Sequence, residues 1–326
     1  MSPQDCAAAL RAGSRPRLGE FMAWGLAFAA PVLAPSHALM VNEIAIVALF
    51  AMSLDLVLGY AGIVSLGHAA FFGFGAYTAA LFAKHVMPDP TVGLLVAMAA
   101  SALLGAAASV TILRGSDLTR LMVTLGTALL VLELANKLDW LTGGTDGLQG
   151  VVLGPVLGRF DFDLTGRVAA YYSLAVALLL FLLMRRIVHS PFGATLKAIR
   201  DNRLRATAIG VPVAARLVTI YTVAAAIAGA AGALLAQTTG FASLDVLAFD
   251  RSADVLLMLV IGGVGWLYGG IAGAIVFKLL QDSLSSVTPQ YWMFWIGLLL
   301  VLLMLVGRER LLHPARWFAK RGGGPS

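Results

Sequence analysis

Long apolar stretches alternate with short polar and basic ones along the whole chain. A hydrocarbon core about 30 Å thick needs about 20 apolar residues for a helix to cross it. Windows of that size predict membrane-spanning helices near residues 21–40, 43–59, 70–86, 91–113, 121–141, 168–187 and 217–238. The pattern predicts an all-α fold, a polytopic integral membrane helical bundle.

Towards the C-terminal end the pattern is interrupted. Asp254–Val264 is apolar but only 11 residues long. As a helix such a segment rises about 16 Å, roughly half the core. A glycine cluster follows at residues 262–270, after which Ile271–Leu284 and Trp292–Val306 are again apolar. We therefore predict about ten membrane segments, including broken or partial helices.

Composition and charge agree with a membrane protein and orient it. Of the 326 residues, 60% are hydrophobic and 12% are charged, against about 25% charged in soluble domains. With ten segments and a cytoplasmic N-terminus, most of the 23 Lys and Arg residues fall on the cytoplasmic side. Nine segments would place the basic C-terminal residues outside. We predict a multi-pass protein of the cell (inner) membrane with both termini cytoplasmic.

This topology divides the chain into a cytoplasmic N-terminal segment, 1–20, a transmembrane domain, 21–307, and a cytoplasmic tail, 308–326. Arginines before the apolar Phe21–Ala30 are also typical of a signal peptide, but an uncleaved first span is simpler. The single cysteine, Cys6, excludes a disulfide within one chain.

Two long loops carry much of the polar sequence. The predicted extracytoplasmic loop, 142–167, begins with Thr142, Gly143, Gly144, Thr145, Asp146 and Gly147, a composition typical of turns. Asp146 either meets a partner protein or closes a turn. The other loop, 187–216, is basic and predicted to be cytoplasmic.

The basic loop predicts two short helices. Ser190 can cap the first and Pro191 fits its first position. Phe192, Leu196 and Ile199 recur on one face, whereas Lys197, Arg200, Asp201 and Arg203 occupy the other. Gly210 ends the second helix, near residues 204–209. From this pattern alone, the segment either presses on a cytoplasmic partner or lies on anionic lipid.

Two glycine-rich breaks are candidate parts of a transport path. The first, Tyr60–Tyr77, contains Ser65, Gly67 and His68, and the second contains Gly262, Gly263 and Gly265. Backbone groups freed in hydrocarbon require protein or a wet cavity to satisfy them, so such breaks are typical of transporters. His68 either lines a pore or bonds freed backbone carbonyls.

Other polar and small residues inside the spans have competing interpretations. Asp55 is by default functional, with a hydrogen bond between helices as the alternative. Glu133 and Lys137 have the spacing of a helical ion pair, which we favour over a functional role. Ala224, Ala228, Gly232 and Ala236 recur at the four-residue spacing that allows close helix packing.

The sequence contains no evident chemistry of an enzyme. We find no nucleophile–base–acid constellation, no phosphate-binding G-x-x-x-x-G-K-[ST] loop and no metal-ligand spacing among the five histidines. We therefore predict a non-catalytic chain without its own cofactor or metal, and without a nucleic-acid partner. A stand-alone ion-coupled secondary transporter, with Asp55 and Glu133 as ion-site candidates, remains an alternative.

Four motifs in order resemble one family of transport proteins. They are Tyr60–Gly73, Leu141–Leu148, the set Ser190–Gly193, Ala198–Asn202 and Ala208–Gly210, and Val260–Gly265. Together they resemble the LivM-type permeases of branched-chain amino acid ABC importers. The resemblance extends from about residue 43 to residue 307.

The resemblance implies one half of a heterodimeric pore in the lipid membrane. The partners would be a LivH-like permease, two cytoplasmic ABC ATPase subunits that bind ATP and Mg, and an extracytoplasmic solute-binding protein. The implied ATPase-coupling residues are Ser190, Pro191, Phe192, Gly193, Leu196, Ile199, Arg200, Asp201, Asn202 and Gly210. The implied path or gate residues are Asp55, Ser65, Gly67, His68, Gly262, Gly263 and Gly265, while Thr142–Gly147 would face the binding protein.

The sequence departs from the family pattern in both breaks. Ile63 stands where family members often have Gln, and Gly265–Gly270 differs from the usual Gly-Ser-Leu-x-Gly-Pro. These differences bear on the substrate, because similar permeases serve other amino acids, urea, amides or aromatic acids. The expected substrate is a branched-chain or related amino acid, moved inward.

Overall fold

The computed structural model describes residues 18–115, 117–163, 165–291, 293–298 and 301. The described residues up to Ala274 form one compact unit, and those from Ile275 onward form a second. The segment 1–17 with Cys6, the tail 308–326 and much of the predicted last span, 292–306, lie outside the described residues. The predicted division at residues 20 and 307 therefore stays a prediction.

Helices make up most of the described chain. The described residues also form two isolated β-bridges, Leu148–Ala242 and Val156–Phe160. The α-helices are α1 Leu18–Leu33, α2 Ala38–Asp55, α3 Ala69–His85, α4 Pro90–Ile112, α5 Asp117–Lys137, α6 Asp139–Thr142, α7 Arg167–Val188, α8 Pro191–Asp201, α9 Arg203–Ala208, α10 Val213–Thr239, α11 Phe249–Gly262 and α12 Leu267–Val287. Short 3-10 turns cover Pro35–His37, Gly144–Asp146 and Leu244–Leu247, and a π-helical turn covers Leu56–Tyr60.

The all-α membrane class is confirmed, and the predicted count of about ten segments is loose. Five described helices are long and apolar enough to cross a membrane, or up to six if α11 and α12, bent by 110° at their break, count as one span. The prediction of about ten was loose because apolar windows run across helix ends. The window 21–40, for example, crosses the turn Pro35–His37, so that α1 has 16 residues.

Helix α10 packs most extensively against α4 and α3. Its close approach depends on glycine, because a Cβ on Gly232 would overlap the Phe72 carbonyl oxygen. Gly75 and Gly229 likewise bring the backbones of α3 and α10 together. Ser101 of α4 donates to the Phe71 carbonyl at 3.2 Å. The predicted packing role of the α10 small-residue face is thus confirmed.

A buried polar cluster joins three spans. Asn42 of α2 donates to Thr238 of α10 at 3.1 Å and accepts from Ser173 of α7 at 2.6 Å. Asn42 and Ser173 are buried. Because each of these side chains finds partners on other helices, the cluster fixes the helices relative to one another without leaving these polar groups in an apolar interior.

The spans α7 and α10 fix two opposite ends of this unit. Both connect to loop 187–216 at one end, which we call the basic end. Glu20 of α1 forms an ion pair with Arg185 near that end of α7. At the opposite end, loop 142–167 pairs with the segment after α10 through the bridge between Leu148 and Ala242. The two loops singled out from sequence therefore lie at different ends of the bundle.

Candidate functional site

The first break lies at the basic end and comprises residues 56–68. Helix α2 ends at Asp55, the π-helical turn Leu56–Tyr60 follows, and α3 begins at Ala69. Within the break, Gly62 donates to the Leu58 carbonyl at 3.2 Å, and Ile63 to the Val57 carbonyl at 3.0 Å. The Gly62 bond spans the four residues of an ordinary helical turn, whereas the Ile63 bond spans six. The wider turn leaves backbone groups without ordinary helical partners.

Side chains from three other helices satisfy freed backbone groups of this break. Thr124 of α5 accepts from the Leu66 N–H at 3.3 Å. Ser252 of α11 accepts from the Ala69 N–H at 2.9 Å. Arg200 of α8 donates to the Gly59 carbonyl at 2.6 Å. Protein therefore supplies the hydrogen bonds that hydrocarbon does not, as an interrupted membrane helix requires.

The second break comprises residues 263–266, between α11 and α12, and it meets the first at Asp55. The Asp55 carboxylate is fully buried, and its Oδ1 accepts from the Gly265 N–H at 2.7 Å. A Cβ on Gly59 would overlap that oxygen and lie 2.7 Å from the Gly265 Cα. Two glycines thus allow the breaks to touch, and a carboxylate joins them.

Arg200 enters this junction from the basic loop. A Cβ on Gly62, whose φ is +72°, would lie 2.7 Å from the Arg200 Cγ. The aliphatic part of the Arg200 side chain therefore packs directly against this glycine. The Arg200 Nη2 lies 3.3 Å from Oδ1 of Asp201. Lys197, one turn earlier, stands over the Tyr60 ring at 5.4 Å. The polar side of α8 is therefore attached to the first break.

The predicted helices of the basic loop are confirmed. Ser190 accepts from the Gly193 N–H at 3.4 Å at the start of α8, and Asn202 accepts from the Arg205 N–H at 2.9 Å at the start of α9. Pro191 occupies the first position of α8. Gly210, with φ of +84°, follows the end of α9 and donates to the Thr207 carbonyl at 3.0 Å.

The apolar face of α8 turns into the protein. Leu196 and Ile199 are buried, Phe192 lies beneath the Arg216 guanidinium at 5.4 Å, and a Cβ on Gly193 would overlap the Val188 carbonyl. These residues attach α8 to the rest of the chain. The large apolar side chains that this loop exposes are Leu204 at 85% and Ile209 at 73%.

The proposed path residues of the first break are buried. Ser65 lies 3.5 Å from the Tyr221 hydroxyl. His68 stacks on Phe50 with ring centroids 5.6 Å apart. Its Nε2 lies 2.9 Å from the Ser53 hydroxyl, which itself donates to the Phe50 carbonyl. Since a hydroxyl has one proton, His68 donates from Nε2.

Glycines of both breaks serve close packing. A Cβ on Gly67 would overlap the Thr124 carbonyl, and one on Gly262 would overlap the Gly269 carbonyl. Gly263 has φ of +109° and is buried. The exposed apolar side chains of the breaks are Val64 at 40%, Val264 at 47% and Trp266 at 53%. Sequence reasoning did not select these three as candidates, because single apolar residues in a largely apolar chain carry no signal of their own.

Loop 142–147 has a buried and an exposed part. Thr142 is buried and donates to the carbonyls of Ala135 and Leu138 at 2.6 and 2.9 Å. Gly143, Gly144 and Gly147 have positive φ and shape the turn. Thr145 and Asp146 are the exposed ones among these six predicted residues.

The remaining charged candidates are separate from the junction. Glu133 and Lys137 form the predicted ion pair at 3.8 Å, with side chains 59% and 75% exposed. Among the described residues, no group of three or more His, Cys, Asp or Glu is arranged to hold a metal ion.

Comparisons with known proteins place this arrangement in a family. The family model described as "Branched-chain amino acid transport system / permease component" matches residues 38–304. The chain is 30% identical over 292 residues to the high-affinity branched-chain amino acid transport system permease protein LivM of Escherichia coli (strain K12). It is 29% identical over 291 residues to the protein of the same name from Salmonella typhimurium (strain LT2). Each alignment covers 81% of this chain and 67% of the relative.

A probable branched-chain amino acid transport permease protein LivM from Methanocaldococcus jannaschii is 26% identical over 140 residues, covering 42% of this chain and 41% of the relative. No solved structure matches the chain. The family model covers both breaks, the basic loop and the loop at the opposite end, so the match includes every part of the candidate site. The chain belongs to the family of permease components of branched-chain amino acid transport systems.

Proposed function

We propose that this chain is the permease subunit of an ABC importer that moves branched-chain or related amino acids inward by alternating access. Family membership and the membrane-spanning helices support this function. The observation that carries the mechanism is the hydrogen bond from Arg200 to the Gly59 carbonyl. A force applied to the basic loop reaches the first break through this contact, and the second break through Gly59 and Gly265.

The basic end is the proposed docking site of one of the two ABC ATPase subunits, which bind ATP and Mg and carry out hydrolysis. The apolar face of α8 is buried and its Lys197 and Arg200 contact the first break, which leaves α9 available. Leu204 and Ile209 are exposed apolar side chains flanked by Arg203 and Arg205. An apolar pocket with an acidic rim on an ATPase subunit complements this surface. The basic end would then be cytoplasmic, with both termini on that side of the inner membrane.

The opposite end is the proposed docking site of an extracytoplasmic solute-binding protein. Thr145 and Asp146 are exposed beside the bridged segment Leu148–Ala242. Farther along the same loop, Leu157 and Phe160 are 70% and 57% exposed on the turn closed by the bridge between Val156 and Phe160. These polar and apolar groups offer the mixed surface that transient protein interfaces use.

A LivH-like permease is the proposed second half of the pore. In the span Leu118–Lys137, 17% of the most apolar stretch is buried within this chain. The rest of the stretch is a long surface that lipid or a second subunit can cover. Val64, Val264 and Trp266 are the exposed apolar residues of the breaks. They suit a path for aliphatic side chains between two such halves.

Reconstitution tests this function. The chain is co-expressed with ABC ATPase, binding-protein and second-permease subunits encoded in the same genome, purified and placed in proteoliposomes. We expect leucine uptake that requires both ATP and the binding protein. Uptake driven by a proton or sodium gradient without ATPase subunits would overturn the proposal in favour of a secondary transporter.

The docking surface has its own test. Replacing Leu204 and Ile209 together by Glu should abolish co-purification of the ATPase subunits. Val152→Glu is the matched control, because Val152 is 75% exposed but belongs to the loop at the opposite end. Retention of the ATPase subunits by the Leu204/Ile209 variant would show that they dock elsewhere.

A further inference from the structure

The Asp55 carboxylate is a buried charge with an unusual environment. Asp55 is fully buried, and its Oδ1 is held by the Gly265 N–H. Its Oδ2 is also buried and has no hydrogen-bond partner among the described residues. An ionised carboxylate in a membrane interior is costly unless an opposite charge compensates it. An ionised Asp55 therefore requires a counter-charge.

Arg200 is placed to supply that charge. Its Nη1 lies 3.3 Å from the position of a Cβ on Gly265, the residue whose N–H binds Asp55. The same nitrogen donates to Gly59, whose Cβ position overlaps the Asp55 Oδ1. The guanidinium and the carboxylate are therefore separated by the backbones of two glycines. Opposite charges held this close attract one another across the two glycine backbones.

The surrounding cations and anions favour this pairing. On the neighbouring turn of α8, Lys197 is directed over the Tyr60 ring. Asp201 also contacts the Arg200 guanidinium, but its side chain is 69% exposed, so water screens that pair. Asp55 is the buried anion of this junction and Arg200 is the cation that enters it.

We propose that Asp55 and Arg200 are a charge pair that positions the two breaks and α8 as one unit. Each group touches backbone of a break: Asp55 holds Gly265, and Arg200 holds Gly59. The attraction between the two charges holds the Gly265 backbone of the second break and the Gly59 backbone of the first break next to each other. Their proposed role in transport rests on the proposed function, whereas their pairing in the folded chain does not.

Thermal unfolding of the purified full-length chain in lipid–detergent micelles tests the pairing directly. Asp55→Asn alone should lower the Tm, because it weakens the attraction to Arg200. In an Arg200→Gln background, Asp55→Asn should instead raise the Tm by about 2–4 °C, because it removes a buried charge that has lost its partner. Asp201→Asn, made in both backgrounds, is the control and should change Tm little in either.

Equal effects of Asp55→Asn in both backgrounds would overturn the charge pair. This measurement needs no transport, so it decides the pairing even if the proposed function fails. In the reconstituted complex, each single variant should lower uptake at least tenfold, and the double variant should lower it no further. A double variant whose loss is the product of the single losses would contradict the joint role of the two residues, whether or not the complex imports leucine with ATP.

Discussion

The guanidinium of Arg200 donates to the carbonyl of Gly59 across 141 residues of sequence, at 2.6 Å. It thereby occupies a backbone acceptor that the π-helical turn leaves open, and it ties a loop helix to a membrane helix. A hydrogen bond from a charged donor is stronger than a neutral one, and a buried acceptor that loses its donor is destabilised.

Replacement of Arg200 by Ala is therefore expected to destabilise the chain. Because the side chain is 40% exposed, water can partly replace the lost donor, and we expect a loss of about 1–2 kcal/mol. Thermal unfolding in detergent measures this loss. Arg203→Ala, on the exposed neighbouring helix, should change the stability by less than about 0.5 kcal/mol. Equal losses in the two variants would show that the Gly59 contact contributes nothing.

Gly232→Ala is expected to disrupt the packing of α3 against α10. Its new Cβ would overlap the Phe72 carbonyl, and overpacking of this kind costs about 1–3 kcal/mol. Gly126→Ala is the matched control, since nothing lies within 4 Å of its Cβ position. That variant should gain up to about 1 kcal/mol from helix propensity. Thermal unfolding compares the two, and a neutral Gly232 variant would contradict the close approach.

Ser190→Ala is expected to loosen α8 without unfolding the bundle. The hydroxyl caps the helix at Gly193 and donates to the Ile187 carbonyl at 2.6 Å, and loss of such a cap costs about 1 kcal/mol. Hydrogen exchange of residues 191–201 should become faster, while exchange in α10 stays unchanged. Thr195→Ala, whose hydroxyl bonds the Pro191 carbonyl within α8, is the control and should leave the exchange of the first turn nearly unaltered.

His68→Ala is expected to affect stability before selectivity. The imidazole is buried between Phe50 and Phe71 and bonds Ser53. A cavity of this size costs about 2–4 kcal/mol. Unfolding temperature and the KM for leucine uptake separate the two roles. A changed substrate preference at unchanged Tm would restore His68 as a residue of the transport path.

Asp163 is expected to make the start of α7 sensitive to acid. Partial burial acts to raise the pKa of this carboxyl, but hydrogen bonds from Thr165 and from the N–H groups of Val168 and Arg167 outweigh it and hold the pKa below the ordinary value of 3.8. A depressed folded pKa stabilises the chain above pH 3.8, and this contribution is lost as the pH falls through the folded value.

Asp163→Asn should therefore reduce stability at neutral pH and weaken the loss of stability as the pH falls below the ordinary pKa of 3.8. Denaturation of the purified chain at a series of pH values measures the effect. Asp161→Asn, two residues earlier in the same exposed loop, serves as the control and should leave the acid profile as in the unmodified chain. An identical profile for the Asp163 variant would contradict the capping role.

Much of the helix chemistry was predictable because it is local. Ser190, Pro191 and Gly210 mark the helices of the basic loop through caps within a few residues of sequence. The pair Glu133 and Lys137 follows from one helical turn. Apolar length gave the membrane class, but it blurred the number of spans because windows of 20 residues run across turns such as Pro35–His37.

By itself, the sequence determined that the chain is an all-α membrane bundle, that its helices break near two glycine-rich stretches, and, through motif order, which family it resembles. The first break lies at residues 56–68, earlier than the predicted Tyr60–Tyr77, because the glycines from Gly73 onward are accommodated within a helix.

Only the tertiary structure decided which side chains hydrogen-bond the free backbone groups of the breaks, and whether each amphipathic face is buried or exposed. Leu196 and Ile199 form an apolar face, and the sequence pattern is the same whether lipid, a partner or the chain's own core covers such a face. In the structure, the chain's own core covers it. Asp55 and Gly265 are 210 residues apart, and their contact depends on how α2 and the second break pack, since local periodicity carries no information about pairs so distant.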